Sequence, residues 1–159
     1  MRETTCCFTG HRILGDDFKK ENLRKAIQDM IDKGVTIFVA GGALGFDTEA
    51  ALEVLRARKK GAKIQLHLYI PCKNQAEKWS FYQKWIWKKI LKSADYVDMP
   101  DYDYYNGCMK VRNYKLVDAS AYCIAYFDGS IKSGTGQTFR YAQRSGLEIV
   151  NLCTVPWEN

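Results

Sequence analysis

Six short apolar segments alternate with five longer amphipathic segments along this chain, and that order is compatible with few folds. Regular alternation of strands and helices indicates parallel strands joined by right-handed crossovers, with helices covering both faces of the sheet. The apolar runs at residues 37–40 and 123–127 are nearly continuous, as is typical of strands buried on both faces. We therefore predict an α/β fold, a Rossmann-like three-layer sandwich with a mainly parallel sheet.

The apolar pattern also gives the order of the elements. Strands are predicted at residues 4–9, 35–40, 64–70, 96–99, 121–127 and 147–152. Helices are predicted at residues 18–33, 47–60, 77–93, 109–120 and 138–145. Gly34, Gly61 and Gly146 follow three of these helices, at the position where glycine commonly ends a helix. Since no repeat or linker interrupts the series, we predict one domain over residues 1–159.

Composition excludes several classes of protein. Apolar residues make up 47% and aromatic residues 13% of the 159 residues, which is incompatible with intrinsic disorder. No apolar run approaches the roughly 20 residues of a membrane-spanning helix, so no membrane partner is predicted. Glu3 lies close to the N-terminus and no long apolar segment follows it, so we predict no signal peptide and a cytoplasmic location.

The six cysteines are spread along the chain without a Cys-x-x-Cys pair, and only two histidines accompany them. In a reducing compartment such thiols stay reduced, and a chain of this length folds without disulfides. Cys6, Cys7, Cys123 and Cys153 lie in apolar segments, where a thiol behaves as a small apolar group. We therefore predict packing roles for the cysteines and no metal site.

A glycine-rich loop follows the second predicted strand, at the edge of the sheet where open α/β folds bind ligands. It contains Gly41, Gly42, Ala43 and Gly45 and leads to Asp47. The glycines allow close approach of the backbone to a ligand, and the next helix offers unpaired N–H groups to an anion. The loop has neither Gly-x-Gly-x-x-Gly nor Gly-x-x-x-x-Gly-Lys, so a dinucleotide fingerprint and a P-loop are not expected. Asp47 is either the helix N-cap or a hydrogen-bond partner of a ribose or of the loop.

A second loop of this kind follows the fifth predicted strand. It contains Ser133, Gly134 and Thr135, whose N–H and hydroxyl groups suit a phosphate at the start of a helix. A plain solvent-exposed turn is the alternative. Two such loops at strand ends of one α/β chain favour a nucleotide-phosphate site.

Two further short segments carry charged or titratable residues near the same edge. Gly10, His11 and Arg12 end the first predicted strand. Arg12 either contacts a phosphate or pairs with a carboxylate, and His11 either acts as an acid–base group or bonds a loop carbonyl. Arg112 and Asn113 lie in the helix before the fifth strand, where the arginine is a second phosphate contact or a surface ion-pair partner.

Three of these segments together resemble the SLOG superfamily, and within it the YpsA-like branch. The segments are Cys7-Phe8-Thr9-Gly10-His11-Arg12, Gly41-Gly42-Ala43-Leu44-Gly45-Phe46-Asp47 and Ser133-Gly134-Thr135. The resemblance covers nearly the whole chain, and its wider relatives include DprA and the LOG phosphoribohydrolases. It implies a Rossmann-like fold that binds a nucleotide-like ligand, of the ADP-ribose, NAD or nucleoside monophosphate class, through these loops.

The LOG enzymes carry Met-x-x-Arg-Lys followed by Pro-Gly-Gly-x-Gly-Thr-x-x-Glu. This chain keeps the Met and Arg of the first motif and the Gly-Thr pair of the second. Thr138 stands where those enzymes have their catalytic Glu, and a threonine cannot supply the carboxylate that stabilises an oxocarbenium ion. Cleavage of an N-glycosidic bond is therefore not expected from the resemblance, and Glu49 and His11 are the alternative catalytic candidates.

Aromatic residues crowd the predicted helix at residues 77–93. One face of it, predicted to pack into the core, carries Trp79, Tyr82, Ile86 and Ile90. Phe81 and Trp85 lie on an adjacent face, so at least one large aromatic side chain is expected at the surface, where contact between copies in a homo-oligomer would cover it. The tyrosines of a later loop either stack on a base or pack on one another: Tyr102, Tyr104 and Tyr105.

Three functions follow from these patterns. We predict a nucleotide-binding regulatory or sensor protein that holds phosphate at the strand ends, with Arg12 and Arg112 as its cations. The alternatives are a nucleotide-processing hydrolase that uses Glu49 or His11, and a DprA-like nucleic-acid binder. The net charge of +6 is compatible with nucleic acid, but the lysines are spread over several predicted helices rather than along one stripe.

Overall fold

The computed structural model describes residues 1–130 and 132–154. The strands are β1 (Thr5–Gly10), β2 (Ile37–Ala40), β3 (Gln65–Tyr69), β4 (Tyr96–Asp98), β5 (Tyr122–Tyr126) and β6 (Glu148–Asn151). The helices are α1 (Lys20–Asp32), α2 (Phe46–Lys59), α3 (Phe81–Ser93), α4 (Cys108–Asp118) and α5 (Gly134–Arg144), with a short 3-10 helix at Arg2–Thr4. The predicted order of strands and helices is confirmed.

All six strands lie in one sheet in the order β4-β3-β2-β1-β5-β6, and every pair is parallel. β1 lies between β2 and β5, with Cys7 opposite Val39 on one side and Cys123 on the other. The chain leaves β1 toward β4 and returns past it to β5, so the strand order reverses between β1 and β5. The predicted α/β class is confirmed, and the sheet is entirely rather than mainly parallel.

The side chains of the sheet divide between two apolar cores. Cys6 and Phe8 point into the core beneath α1, α2 and α3, whereas Cys7 points into the core beneath α4 and α5, because successive residues of a strand face opposite sides. Cys6, Cys7 and Cys123 are fully buried, in agreement with their predicted packing role, and burial raises the pKa of the Cys6 thiol. The helices therefore form two layers around one sheet, as in a three-layer sandwich.

Two helices begin four residues away from the start that the apolar pattern predicts, whereas the other three begin within two residues of it. Helix α3 starts at Phe81, since the Ser80 hydroxyl accepts the Gln83 N–H and the Gln83 side chain accepts the Ser80 N–H. Helix α5 starts four residues earlier than predicted, at Gly134, because the Ser133 hydroxyl accepts the Gly136 N–H. Capping hydrogen bonds, rather than apolar spacing, set both starts.

The predicted core face of α3 is correct only in part. Ile90 is buried and Ile86 is partly buried against the core, but Tyr82 is 67% exposed. Trp79 precedes the helix and so does not continue its apolar face. No helix in the described part of the chain has the length and apolar character needed to cross a bilayer.

Candidate functional site

A cleft of about 340 Å³ opens at the carboxyl end of the sheet, where the strand order reverses between β1 and β5. Residues that follow β1 and β2 form one part of its wall, and α4 and the start of α5 form the rest. Ten of the thirteen predicted ligand-binding residues line it: Gly10, His11, Arg12, Ala43, Asp47, Arg112, Asn113, Ser133, Gly134 and Thr135. We call it the switch-point cleft, and Phe8, Thr9, Leu44 and Met109 complete its lining.

The other three predicted residues, Gly41, Gly42 and Gly45, are not among the residues that line this cleft. A Cβ atom at Gly41 would lie 2.5 Å from Nη1 of Arg112 and 2.9 Å from Oδ2 of Asp47. A Cβ atom at Gly45 would lie 2.0 Å from the carbonyl oxygen of Arg12, and Gly45 has a φ of +79°. These glycines thus permit close packing behind the wall of the cleft.

Arg112 fixes the glycine-rich loop to α4. Its side chain is almost fully buried and donates to the carbonyl oxygens of Gly41 and, at 3.3 Å, of Tyr69. Its Nε donates to Oδ1 of Asn113 at 2.8 Å. Its Nη2 donates to the sulfur of Met109 at 3.8 Å. Burial lowers the pKa of the guanidinium. Arg112 is therefore held in place within the cleft wall and keeps donor capacity at Nη2.

Of the two roles considered for Asp47, the helix N-cap is not the one present. Helix α2 begins at Phe46, with Gly45 at the N-cap, so Asp47 lies inside the first turn. Its Oδ2 accepts the N–H of Ala43 at 3.3 Å, which ties the loop before the helix to the helix itself. Burial raises the pKa of this carboxyl group, and the positive charge of Arg112 opposes that shift. The alternative role, a hydrogen bond to the loop, is the one present.

His11 is held between aromatic rings and a loop. The ring lies 6.2 Å from that of Tyr126 and 5.9 Å from that of Phe127, measured between centroids. Its Nε2 accepts the Asp128 N–H at 3.0 Å and also lies 3.0 Å from Oδ1 of Asp128. The Ser130 hydroxyl, more than His11, holds the pKa of the Asp128 carboxyl below its usual range. These contacts favour a structural role for His11.

Arg12 lies on the rim of the switch-point cleft and differs from Arg112 in its surroundings. It is exposed, and within residues 1–130 and 132–154 no carboxylate or carbonyl oxygen is bonded to its guanidinium. An exposed guanidinium with free donors presents a planar fork that matches a phosphate. Of the cleft's two arginines, Arg12 has a guanidinium with no bonded partner among the described residues, whereas Arg112 has spare donor capacity only at Nη2.

The side-chain hydroxyl of Ser133 holds the loop before α5 in place. Ser133 accepts from Gly136 at 2.9 Å and donates to the Ser130 carbonyl at 3.2 Å, so its oxygen is already used. The N–H groups of Gly134 and Thr135 lie in the first turn of α5, where a helix leaves such groups unpaired. The backbone N–H groups of this loop, rather than the Ser133 hydroxyl, are therefore its available donors.

The structure does not bring the two catalytic candidates together. Glu49 lies beside Lys20 of α1, with 3.8 Å between Oε2 and Nζ, and is not among the cleft-lining residues. Thr138 is buried and its hydroxyl donates to the Gly134 carbonyl at 2.9 Å. Among the described residues, Asp47 is the only acidic one in the lining of the switch-point cleft, and the sequence interpretation did not consider it for acid–base chemistry.

A second cleft of about 660 Å³ continues from the first and shares Arg12, Leu44 and Met109 with it. We call this the adjoining cleft, and its remaining lining consists of Cys72, Asn74, Gln75, Glu77, Lys78, Trp79, Gln83 and Tyr104. Sequence reasoning missed its polar residues because it assigned part of this segment to a helix. Pro71, two residues after the end of β3, predicts a loop, but the predicted loop extended only to Lys73.

Of the three tyrosines predicted to stack on a base, Tyr104 alone lines the adjoining cleft. Its N–H donates to Oδ1 of Asn74 at 2.8 Å, which joins the two loops that border the cleft. Tyr102 and Tyr105 pack on each other, with 5.4 Å between ring centroids. Gln75 has a buried Oε1 that finds no hydrogen-bond partner among the described residues. The adjoining cleft thus combines ring faces with amide groups.

Comparison with known sequences supports one family. The sequence model of the YspA SLOG family matches residues 15–152. The uncharacterized SPbeta prophage-derived protein YoqJ of Bacillus subtilis strain 168 is 33% identical over 141 residues, which cover 80% of this chain and 82% of that protein. The UPF0398 protein BH1768 of Halalkalibacterium halodurans is 28% identical over 120 residues, covering 74% of this chain and 64% of that protein.

A solved structure shares the fold. It is DNA processing protein A from Helicobacter pylori, described for its single-stranded DNA binding mode, with a TM-score of 0.67 and 18% sequence identity. The similarity covers 93% of this chain and 64% of that chain. At this identity the likeness extends to the fold alone.

Proposed function

This chain belongs to the YspA SLOG family, and we propose that it binds a nucleotide or nucleotide derivative in the switch-point cleft, as a regulatory or sensor module. One observation carries the proposal. Ten predicted ligand-binding residues, from segments far apart in the sequence, line a single cleft at the reversal of strand order. Open α/β sheets bind ligands at that position.

The phosphate is assigned to the part of the cleft between Arg12 and the start of α5. Arg12 supplies an exposed cation with free donors, and Gly134 and Thr135 supply first-turn N–H groups. The guanidinium of Arg12, through charge-assisted hydrogen bonds, and the N-terminus of α5 can both contact the same phosphate. Arg112 contributes through Nη2, while its other donors keep the glycine-rich loop in place.

The nucleoside part is assigned to the adjoining cleft. Trp79 and Tyr104 offer ring faces for a base, and the amides of Asn74 and Gln75 offer hydrogen bonds to a base edge or ribose. The two clefts together, about 340 and 660 Å³, favour a ligand of the ADP-ribose or NAD class over a smaller nucleoside monophosphate.

Binding is favoured over hydrolysis. Cleavage of an N-glycosidic bond needs a carboxylate close to the sugar. Among the described residues, the acidic side chains that line the two clefts are Asp47 in the switch-point cleft and Glu77 in the adjoining cleft. Oδ2 of Asp47 already accepts the Ala43 N–H, and Oε2 of Glu77 accepts the Asn74 amide at 3.4 Å. A regulatory ligand site needs no such group, so the hydrolase remains the second candidate. Cytoplasmic location and homo-oligomerisation stay predictions from the sequence.

Isothermal titration calorimetry with ADP-ribose, NAD and AMP tests the proposal, with native mass spectrometry of the freshly purified protein to detect a retained ligand. We expect at least one nucleotide to bind, and Arg12→Ala to weaken binding about tenfold or more through loss of a charge-assisted contact. Arg56→Ala removes an exposed arginine of α2 and serves as the matched control. If no nucleotide binds and no ligand is retained, the proposal is wrong. Release of free base from AMP would instead favour the hydrolase.

A further inference from the structure

The outer face of α3 exposes three aromatic side chains next to three lysines. Phe81 is 88%, Tyr82 67% and Trp85 51% exposed. At 3.6 residues per turn they lie on one arc of about 120°, together with exposed lysines of the same helix: Lys88, Lys89 and Lys92. We call these six residues the α3 outer face. Large aromatic side chains seldom remain in water without a partner.

The lysines of this face have no acidic partner. Residues 78–93 contain no Asp or Glu, and in the described ranges no carboxylate lies within ion-pair distance of these lysines. Some lysines of other helices are paired, as Lys25 of α1 is with Asp29 at 3.4 Å. Lys89 instead lies 4.9 Å over the ring of Trp85. The face therefore presents unneutralised positive charge beside aromatic rings.

The rings are arranged so that they can receive other planar groups. Tyr82 and Trp85 lie 6.1 Å apart between centroids, with an angle of 31° between their planes. The aliphatic side chains of α3 face the protein interior, with Ile90 buried and Ile86 and Leu91 packed against the core. The outer face is thus aromatic and cationic and has no exposed aliphatic residue. Such a face is better suited to stacking with planar groups than to packing against another protein.

We propose that the α3 outer face binds single-stranded nucleic acid. Unpaired bases stack on Phe81 and Trp85, and the phosphates that follow them along the strand meet Lys88, Lys89 and Lys92. Stacking on aromatic side chains combined with backbone neutralisation binds single strands with little sequence preference. The face extends about 16 Å along the helix axis, long enough for a few nucleotides. None of its residues lines either cleft, so the proposal does not rest on nucleotide binding there.

Charge decides against a second copy of this chain, and the lack of exposed aliphatic residues decides against a lipid surface. A second copy docked by its own α3 outer face would bring two sets of unpaired lysines together, and like charges across an interface cost affinity. A lipid surface takes up helices whose apolar face inserts aliphatic as well as aromatic side chains, and the aliphatic residues of α3 point inward.

Fluorescence anisotropy with a labelled oligothymidylate at low salt tests the proposal on the full chain. We expect Phe81→Ala/Trp85→Ala to weaken binding by about tenfold or more, since stacking is worth ~1–3 kcal/mol per base. Lys88→Ala/Lys89→Ala/Lys92→Ala should weaken binding and reduce the slope of log affinity against log salt by about two. The matched control replaces three lysines that have carboxylate partners: Lys20→Ala/Lys25→Ala/Lys33→Ala. Circular dichroism checks that every variant is folded.

Four outcomes would overturn the proposal. The first is no binding of the oligonucleotide at low salt. The second is binding that Arg12→Ala abolishes and the α3 variants leave unchanged, which would place the strand in the clefts. The third is binding to phosphatidylglycerol vesicles with none to the oligonucleotide. The fourth is self-association in analytical ultracentrifugation, lost in Phe81→Ala/Trp85→Ala, without oligonucleotide binding.

Discussion

The switch-point cleft and the α3 outer face are both cationic, yet Arg112 of the cleft and the lysines of α3 are held in opposite ways. Arg112 of the cleft is buried and bonded to two backbone carbonyl groups. Lys88 and Lys92 of α3 are exposed, and the described part of the chain provides no carboxylate for them. A site whose groups are fixed before binding loses little entropy when a ligand arrives, whereas mobile side chains adapt to many ligands. We therefore expect selective binding in the cleft and tolerant binding on the α3 outer face.

The largest expected effect concerns the backbone behind the cleft. Gly45 combines a φ of +79° with a ψ of −122°, and its Cβ position meets the Arg12 carbonyl oxygen. We expect Gly45→Ala to reduce the free energy of unfolding by about 4 kcal/mol or more. Gly34→Ala is the control, because Gly34 also has a positive φ but no atom lies within 4 Å of its Cβ position. This substitution should reduce the free energy of unfolding by about 1 kcal/mol. If urea denaturation gives equal decreases in the free energy of unfolding for Gly45→Ala and Gly34→Ala, the close packing described for this loop is contradicted.

The next effect separates a buried cation from an exposed one. Arg112→Ala leaves the carbonyl oxygens of Gly41 and Tyr69 without their donor and Asp47 without its nearby charge. The expected loss in unfolding free energy is about 3 kcal/mol. Lys88→Ala removes the same charge from α3 and should change stability by less than about 0.5 kcal/mol. Urea denaturation measures both, and similar values would remove the distinction between the two regions.

A smaller, pH-dependent effect is expected at the loop that carries Arg12. The Tyr126 hydroxyl donates to Oδ1 of Asp17 at 2.5 Å and accepts the Gly15 N–H at 3.0 Å. This hydroxyl lowers the pKa of Asp17. Burial, and to a smaller extent the hydrogen bond to Asp17, raises the pKa of Tyr126 to about 12. We expect Tyr126→Phe to cost about 1.5 kcal/mol at neutral pH.

The sign of the pH effect follows from the lowered pKa. A carboxyl group with a lower pKa in the folded state stabilises the fold above its ordinary pKa, and that contribution is lost as the pH falls through the folded value. The difference between wild type and Tyr126→Phe should therefore shrink in acid, as measured by urea denaturation across pH. A difference that grows in acid would contradict the assignment. Oligonucleotide binding on α3, which has no carboxylate, should be unchanged at neutral pH by Tyr126→Phe.

The smallest effect compares two helix caps. Ser133→Ala and Ser80→Ala each remove a hydroxyl that accepts a first-turn N–H, at α5 and α3 respectively. Each should cost about 1 kcal/mol in thermal or urea denaturation. Nucleotide affinity should fall only in Ser133→Ala, because Ser133 lines the switch-point cleft and Ser80 does not. Loss of nucleotide binding in both variants would indicate a general rather than a local effect.

Most of the fold can be predicted from local patterns of apolar and polar residues along the sequence. Continuous apolar runs and their alternation with amphipathic helices predict parallel strands, and parallel strands place their carboxyl ends at one edge. The loops at 10–12, 41–47 and 133–135 could therefore be assigned to one site before any contact was known. The helix starts at Phe81 and Gly134 were missed because a capping hydrogen bond shifts a boundary without changing the apolar spacing.

The site was less predictable where a role depends on a distant residue. Asp47 lies four residues from Ala43, yet its surroundings are set by Arg112, and no local pattern reveals that proximity. The exposure of Tyr82 was mispredicted for a related reason, since helical spacing gives a shared face but not which face meets the sheet. The adjoining cleft forms from loops after β3 and β4, and only the folded chain brings them together.

The central position of β1 has a consequence for biosynthesis. Its edge away from β2 stays open until β5 pairs with it, and more than 100 residues separate Gly10 from Tyr122. At the usual ~5–20 residues per second, the ribosome takes roughly 6 s or longer to deliver that partner. During this interval a nascent chain exposes an unpaired apolar strand with two adjacent cysteines, Cys6 and Cys7, to chaperones, oxidants and neighbouring chains. Completion of β5 therefore closes the open edge of β1, while β5 in turn waits for β6 to pair with its other edge.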